Sequence, residues 1–139
     1  MGRRVVEMER WFSRTEDRRA VILIVEDDLF IRDDAEAMIQ EWNHHTLLAS
    51  DVDEALSLLR SSHHIDALFT DIYLKKAVLG GGELAPQAVM LWPRLRVLYA
   101  TGNSVDVQMK ALFVQGARFI PKPYTQHQLQ IAFEELLAA

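Results

Sequence analysis

The sequence predicts an α/β domain built on a parallel β-sheet, and two observations carry this prediction. Short apolar runs rich in Val, Ile, Leu and Phe occur at residues 21–25 and 67–70, and unbroken apolar runs are typical of strands buried on both faces. Longer stretches with apolar residues at helical spacing follow these runs, so strands and helices alternate along the chain. A chain of 139 residues is long enough for one such core and too short for two.

Five strands, each followed by a helix, account for the chain after residue 20. The predicted strands are residues 21–25, 46–49, 67–71, 96–100 and 117–120. The predicted helices are residues 28–42, 51–61, 83–92, 104–115 and 125–137. Asp28 caps the first helix because its carboxylate can accept hydrogen bonds from free N–H groups of the first turn, and Ser50 or Asp51 does the same for the second.

The connection after the third strand carries three consecutive glycines, Gly80, Gly81 and Gly82. Glycine loses more backbone freedom on ordering than any other residue, so this stretch predicts a flexible loop. The third helix is therefore expected to begin near Glu83. Pro86 then lies in its first turn, where a residue without an N–H group is tolerated.

The composition narrows the classes of function. A formal net charge of -5 argues against nonspecific binding to nucleic acid, and the absence of cysteine excludes a disulfide framework and thiolate chemistry. No apolar stretch approaches the ~20 residues that cross a bilayer. We therefore expect a cytoplasmic protein with no direct nucleic-acid or membrane contact.

Residues 1–19 form an extension ahead of the main domain, which is residues 20–139. Val5, Met8, Trp11 and Phe12 recur at helical spacing between charged residues, which predicts an amphipathic helix. A solvated extension and a helix used for docking or dimerisation both fit this pattern. The sequence leaves that choice open.

Polar side chains follow four of the predicted strands directly. Glu26 and Asp27 follow the first strand, Asp71 ends the third, Thr101 follows the fourth and Lys122 follows the fifth. The carboxyl ends of parallel strands meet at one edge of a sheet, where ligands bind. Carboxylates gathered there repel one another unless a cation lies among them. The sequence therefore predicts a metal site at this edge.

These motifs resemble those of the receiver domain of bacterial two-component response regulators. The resemblance covers about residues 20–139 and is carried by residues 21–28 (VILIVEDD), 66–71 (DALFTD), 97–102 (VLYATG) and 116–123 (GARFIPKP). It implies a flavodoxin-like sheet of five parallel strands in the order 2-1-3-4-5, with helices on both faces.

The resemblance also implies a role for each residue at this edge. Asp71 is the phosphoacceptor. Glu26, Asp27, Asp71 and the backbone carbonyl of Tyr73 hold Mg²⁺, a cation that prefers oxygen ligands. Lys122 supplies a positive charge to a phosphoryl oxygen.

Two further residues are implied to form a switch. Thr101 supplies a hydroxyl group that moves towards the phosphoryl oxygens, and Phe119 turns into the space that Thr101 leaves. The surface formed by the fourth predicted helix, the fifth strand and the fifth predicted helix then changes and binds a downstream protein. The resemblance also implies a cis peptide bond before Pro123.

We therefore expect a phosphoacceptor domain that takes a phosphoryl group from a histidine kinase or a phosphotransfer protein. It turns over no external product and is not an enzyme in the ordinary sense. A pseudo-receiver that is not phosphorylated is the main alternative, because Lys75 replaces a usual proline and Gly80–Gly82 lengthen the loop. A phosphohydrolase would need a general acid at position 73, which is Tyr. Homodimerisation stays open.

Overall fold

Five parallel strands form a single sheet in the order β2-β1-β3-β4-β5, which confirms the expected order. The computed structural model describes residues 19–62, 64–72, 74, 80–102 and 114–138. The strands are β1 (Val21–Val25), β2 (His45–Ala49), β3 (Ala67–Asp71), β4 (Arg96–Thr101) and β5 (Arg118–Pro121). Over the described residues the helices are α1 (Leu29–Glu41), α2 (Val52–Ser61), α3 (Gly80–Leu91) and α4 (Gln126–Ala138).

Helices cover both faces of the sheet. Successive strand residues point to opposite faces, so the sheet separates two apolar cores. Leu23 packs on one face with residues of α2 and α3, including Leu84. Ile24 packs on the other face with residues of α1 and α4, including Phe133. Each fully buried side chain of this size contributes about 1.5–3 kcal/mol relative to its exposed state.

The caps that the sequence predicts are confirmed. The Asp28 carboxylate accepts hydrogen bonds from the backbone N–H groups of Phe30 and Ile31, at 3.0 and 3.2 Å. Asp51, rather than Ser50, caps α2 by accepting from the N–H group of Glu54 at 2.8 Å. Both caps lie at the carboxyl edge of the sheet, so they fix where the chain turns away from β1 and β2.

The predicted start of the third helix is wrong. α3 begins at Gly80 instead of Glu83, and Pro86 lies beyond the first turn, where it cannot donate to the carbonyl of Gly82. A glycine within a helix costs about 1 kcal/mol relative to alanine. Burial of Leu84, Ala85 and Ala88 on the same helix outweighs that cost.

Other boundaries shift by one residue. β2 begins at His45, β4 continues through Thr101, and β5 runs from Arg118 to Pro121. The helices predicted within residues 1–19 and at 104–115 fall almost wholly outside the described residues. Within the described part of the chain, no helix has the length and apolar character needed to cross a bilayer.

Candidate functional site

The carboxyl edge of the sheet gathers the side chains that follow β1, β3, β4 and β5. The register aligns Val25 with Thr70, which places Glu26 beside Asp71. The backbone N–H group of Lys122 donates to the carbonyl of Thr101 at 2.8 Å, so β5 delivers its lysine next to the end of β4. Strand pairing alone therefore converts four separated stretches of sequence into one site.

Lys122 links the two central carboxyl groups of this site. Its Nζ donates a short hydrogen bond to Oδ2 of Asp71 and lies 3.8 Å from Oε1 of Glu26. Burial lowers the pKa of Lys122, but the hydrogen bond with Asp71 and the charges of Asp71 and Glu26 raise it more, so the net shift is upwards. Lys122 is therefore a fixed positive charge at neutral pH.

Glu26 is the most deeply buried acid of the site, with 6% of its surface exposed. Burial raises its pKa to about 7; Lys122 opposes the shift, and the charges of Asp71 and Asp27 together with a side-chain hydrogen bond to Asp71 add to it. Two carboxyl groups therefore share one ammonium group in a poorly solvated position, and burial is the main cause of the shifted pKa of Glu26.

The remaining predicted residues lie at the same edge. Asp27 is half-buried and its charge acts on both Glu26 and Lys122, while Thr101 is buried at the end of β4. Within the residues that the structure describes, no three acidic or histidine side chains converge as a ready-made metal site. Tyr73, whose backbone carbonyl the resemblance assigns to the metal, lies outside the described residues.

Sequence reasoning missed Tyr124, which lines a small cavity together with Glu26, Asp71 and Lys122. Its ring packs on Phe69 with centroids 6.0 Å apart. Burial raises its pKa to about 12, and the charges of Glu26, Asp71 and Asp34 contribute. The signal for this residue is its position directly after Pro123, where the chain leaves β5; the Lys122–Pro123 peptide bond is cis, as expected.

Sequence reasoning also missed Tyr99, which lies under the predicted switch residue. Phe119 is 41% exposed, and its ring stacks on that of Tyr99 with centroids 5.4 Å apart and an interplanar angle of 23°. The two-residue period of a strand could have indicated Tyr99, because Tyr99 and Thr101 occupy alternate positions of β4 and so share a face.

Several conspicuous side chains prove to be structural. Asp66 lies at the amino edge of the sheet, where it accepts from the N–H group of Val21 at 2.8 Å and pairs with His64 at 2.6 Å. Trp92 donates from Nε1 to the carbonyl of Leu59 at 2.8 Å. Asp66 and Trp92 therefore join neighbouring parts of the fold.

The chain is similar to known receiver domains. The sequence model of the response regulator receiver domain matches residues 22–134. A response regulator receiver protein from Sinorhizobium medicae WSM419 superposes with a TM-score of 0.79 at 24% identity, covering 88% of this chain and 97% of that one. A CheY-like receiver domain protein from Methanospirillum hungatei JF-1 gives 0.77 at 23% identity, covering 86% and 94%.

One similar structure belongs to a longer protein. NtrX from Brucella abortus superposes with a TM-score of 0.76 at 29% identity, covering 86% of this chain but 27% of that one. The fold therefore also occurs as one part of a longer chain.

Proposed function

Because the chain belongs to the response regulator receiver domain family, we propose that Asp71 accepts a phosphoryl group and that its phosphorylation switches a protein-binding surface. The observation that carries this proposal is the contact of the Lys122 ammonium group with Asp71, next to the buried Glu26. The donor would be a histidine kinase or a phosphotransfer protein. Hydrolysis would return the phosphoryl group to water, so the domain would turn over no external product and would not be an enzyme in the ordinary sense.

Asp71 is suited to the transfer by its position and its neighbours. A carboxylate oxygen of Asp71 attacks the phosphorus of a phosphohistidine; the new P–O bond forms as the P–N bond breaks, and the imidazole leaves. Such transfers depend on positioning and on neutralising the phosphoryl oxygens more than on covalent assistance. Lys122 lies where it can pass from Asp71 to a phosphoryl oxygen, and the Thr101 hydroxyl group can donate to another.

The residues at this edge fit Mg²⁺ by the chemistry of their donors. Glu26, Asp27 and Asp71 offer carboxylate oxygens, the donors that Mg²⁺ prefers, and Glu26 and Asp71 lie together beside Lys122. We propose that these three side chains and the Tyr73 carbonyl hold the ion. When bound, Mg²⁺ would neutralise charge on the transferred phosphoryl group.

The output surface would lie around β5. Movement of Thr101 towards the phosphoryl group would change the position of Phe119, which is half-exposed on β5. The partner surface would consist of residues 104–115, β5 and α4. Residues 1–19 would be an extension that precedes this domain in the sequence. A switch of this kind responds only to the difference in stabilisation between its two states.

Intact mass after incubation with Mg²⁺ and acetyl phosphate tests the proposal. We expect a phosphoryl adduct on the wild-type chain and on Asp53→Asn, a matched control because Asp53 is exposed on α2. Asp71→Asn should carry no adduct. Adducts on all three proteins would contradict the assignment of Asp71, and no adduct on any, even with a phosphohistidine donor, would support a pseudo-receiver.

A further inference from the structure

A large open cavity lies at the amino edge of the sheet, opposite the candidate site. Its volume is about 970 Å³, and it is bordered by the end of α1, the last turns of α4 and the chain just before β1. Trp42, Phe133 and Leu137 supply apolar lining, and the rings of Trp42 and Phe133 lie 6.4 Å apart. Trp42 and Leu137 pack against the core but are only half-buried. This amino-edge cavity therefore leaves one end of the core uncovered.

The chain enters the described domain beside this cavity. Arg19 and Ala20 form part of the lining. Ala20 is held in place because its N–H group donates to Nδ1 of His44 at 2.9 Å and its carbonyl accepts from the N–H group of His45 at 2.9 Å. Residues 1–18, which precede the described residues, are therefore tethered to the edge of the cavity.

The tethered segment carries an apolar stripe in its sequence. Residues three or four positions apart fall on one side of a helix, in a stripe about 120° wide: Val5, Met8, Trp11 and Phe12. Val6 falls on the opposite side. A helix of residues 3–12 would be about 15 Å long, and residues 13–18 can span about 20 Å to its point of attachment. The stripe can therefore reach the cavity of its own chain.

The distribution of charge favours the same placement. Residues 1–19 contain six arginines and four acids, while the whole chain has a net charge of -5, so the rest of the chain attracts this segment. Charged residues of both signs, including Arg94 and Glu134, border the apolar lining. A short flexible tether gives an effective concentration in the millimolar range, which favours docking within one chain over docking on a second copy.

We propose that residues 3–12 form a helix that docks in the amino-edge cavity, with its apolar stripe against Trp42 and Leu137. Docking removes apolar surface of both the stripe and the cavity from water, which is its driving force. This inference goes beyond the proposed function and does not depend on it, because the cavity and Asp71 lie at opposite edges of the sheet.

Paramagnetic broadening in the full chain tests the docking. The protein has no cysteine, so a nitroxide on Ala138→Cys, at the edge of the cavity, is the only label. We expect the amide NMR signals of residues 3–12 to be lost by broadening. A nitroxide on Asp53→Cys, which is exposed at the start of α2 near the other edge, should leave them visible.

Two substitutions within the segment separate docking from mere proximity. Phe12→Gln, on the apolar stripe, should restore the signals in the chain labelled at Ala138→Cys. Val6→Gln is the matched control: it makes an apolar residue polar on the opposite side of the helix, and the signals should stay broadened. Equal behaviour of the two variants would overturn the proposal.

Signals that survive the label on Ala138→Cys would also overturn it. Broadening that persists when isotope-labelled chains without nitroxide are mixed with unlabelled chains that carry it would assign the docking to a second copy and contradict docking within one chain. Should Ala138→Cys not fold, the indole N–H signal of Trp42 replaces the label. Phe12→Gln should shift this signal and Val6→Gln should not, and an unshifted signal in both would contradict the proposal.

Discussion

The two edges of the sheet each pair a carboxylate with a basic side chain, yet the pairs are built differently. At the amino edge, each carboxylate oxygen of Asp66 has a hydrogen-bonding partner, the Val21 N–H group for one and His64 for the other. At the carboxyl edge, Asp71 and Glu26 share Lys122, and burial raises the pKa of Glu26 to about 7. The first pair joins two parts of the chain, whereas the second keeps a buried carboxyl group with a shifted pKa beside a second carboxyl group and one ammonium group. Titratable groups with shifted pKa values are typical of functional sites.

The sharpest test of this comparison exchanges one carboxyl group for an amide at each edge. We expect Asp71→Asn to lose the phosphoryl adduct completely. Asp66→Asn should keep it and lose about 1–2 kcal/mol of stability, because the amide weakens the contacts with Val21 and His64. Intact mass and urea denaturation measure the two effects. An Asp66→Asn protein that folds but forms no phosphoryl adduct would contradict the assignment of phosphorylation to the carboxyl edge alone.

The next largest effect concerns the lysine. Lys122→Met should slow adduct formation on the order of 100-fold, because a positioned positive charge at the phosphoryl oxygens is lost. It should also lower the free energy of unfolding by about 1–3 kcal/mol, since Asp71 and Glu26 stay buried without their cation. Adding Asp71→Asn should restore much of that stability but none of the adduct. Equal stability losses in the single and double variants would show that Lys122 acts through packing alone.

The pH dependence of stability should also separate the edges. Glu26 has a folded pKa of about 7, above its ordinary value of 4.5, so the folded state binds this proton more tightly than the unfolded state. Protonated Glu26 therefore adds up to about 3 kcal/mol to the free energy of unfolding. This stability is fully present below pH 4.5 and is lost as pH rises through 7. At the amino edge, burial lowers the pKa of His44, whose Nδ1 accepts from the Ala20 N–H group. Neutral His44 therefore stabilises the folded state, and this stabilisation is lost on acidification as the imidazole is protonated.

Urea denaturation across this pH range, without divalent metal, measures the difference. Glu26→Gln should flatten the loss of stability between about pH 5 and 7.5. His44→Gln should act only on the acid side. Identical pH profiles for Glu26→Gln and the wild type would show that protonation of Glu26 does not set the pH dependence of stability.

The smallest expected effect is the stabilisation of the folded state by Mg²⁺, which should depend on Asp27 and not on the neighbouring Asp28. A ligand that binds only the folded state stabilises it by RT ln(1 + [L]/Kd), about 2.7 kcal/mol at a concentration of 100 Kd. We expect Mg²⁺ to raise the melting temperature of the wild type and of Asp28→Asn, whose side chain caps α1. Asp27→Asn should respond much less. Equal responses of the two variants would argue against Asp27 as a ligand.

Much of this fold could be predicted from local patterns. The apolar runs of β1 and β3 need burial on both faces, and a capping aspartate satisfies the N–H groups that every helix start leaves free. Because parallel strands end at one edge, the same local patterns group Glu26, Asp71 and Lys122 at that edge. Strand length and side-chain chemistry were sufficient for these features.

Other features depend on contacts between distant parts of the chain. The start of α3 at Gly80 reflects the burial of its later residues, which no local glycine propensity reports. The shifted pKa of Glu26 requires the depth of the site, and the stack of Tyr99 on Phe119 requires the pairing of β4 with β5. Sequence by itself determined which residues end the strands, because that follows from local pattern. Only the tertiary structure decided which of them touch, because burial and charge coupling arise when the strands assemble.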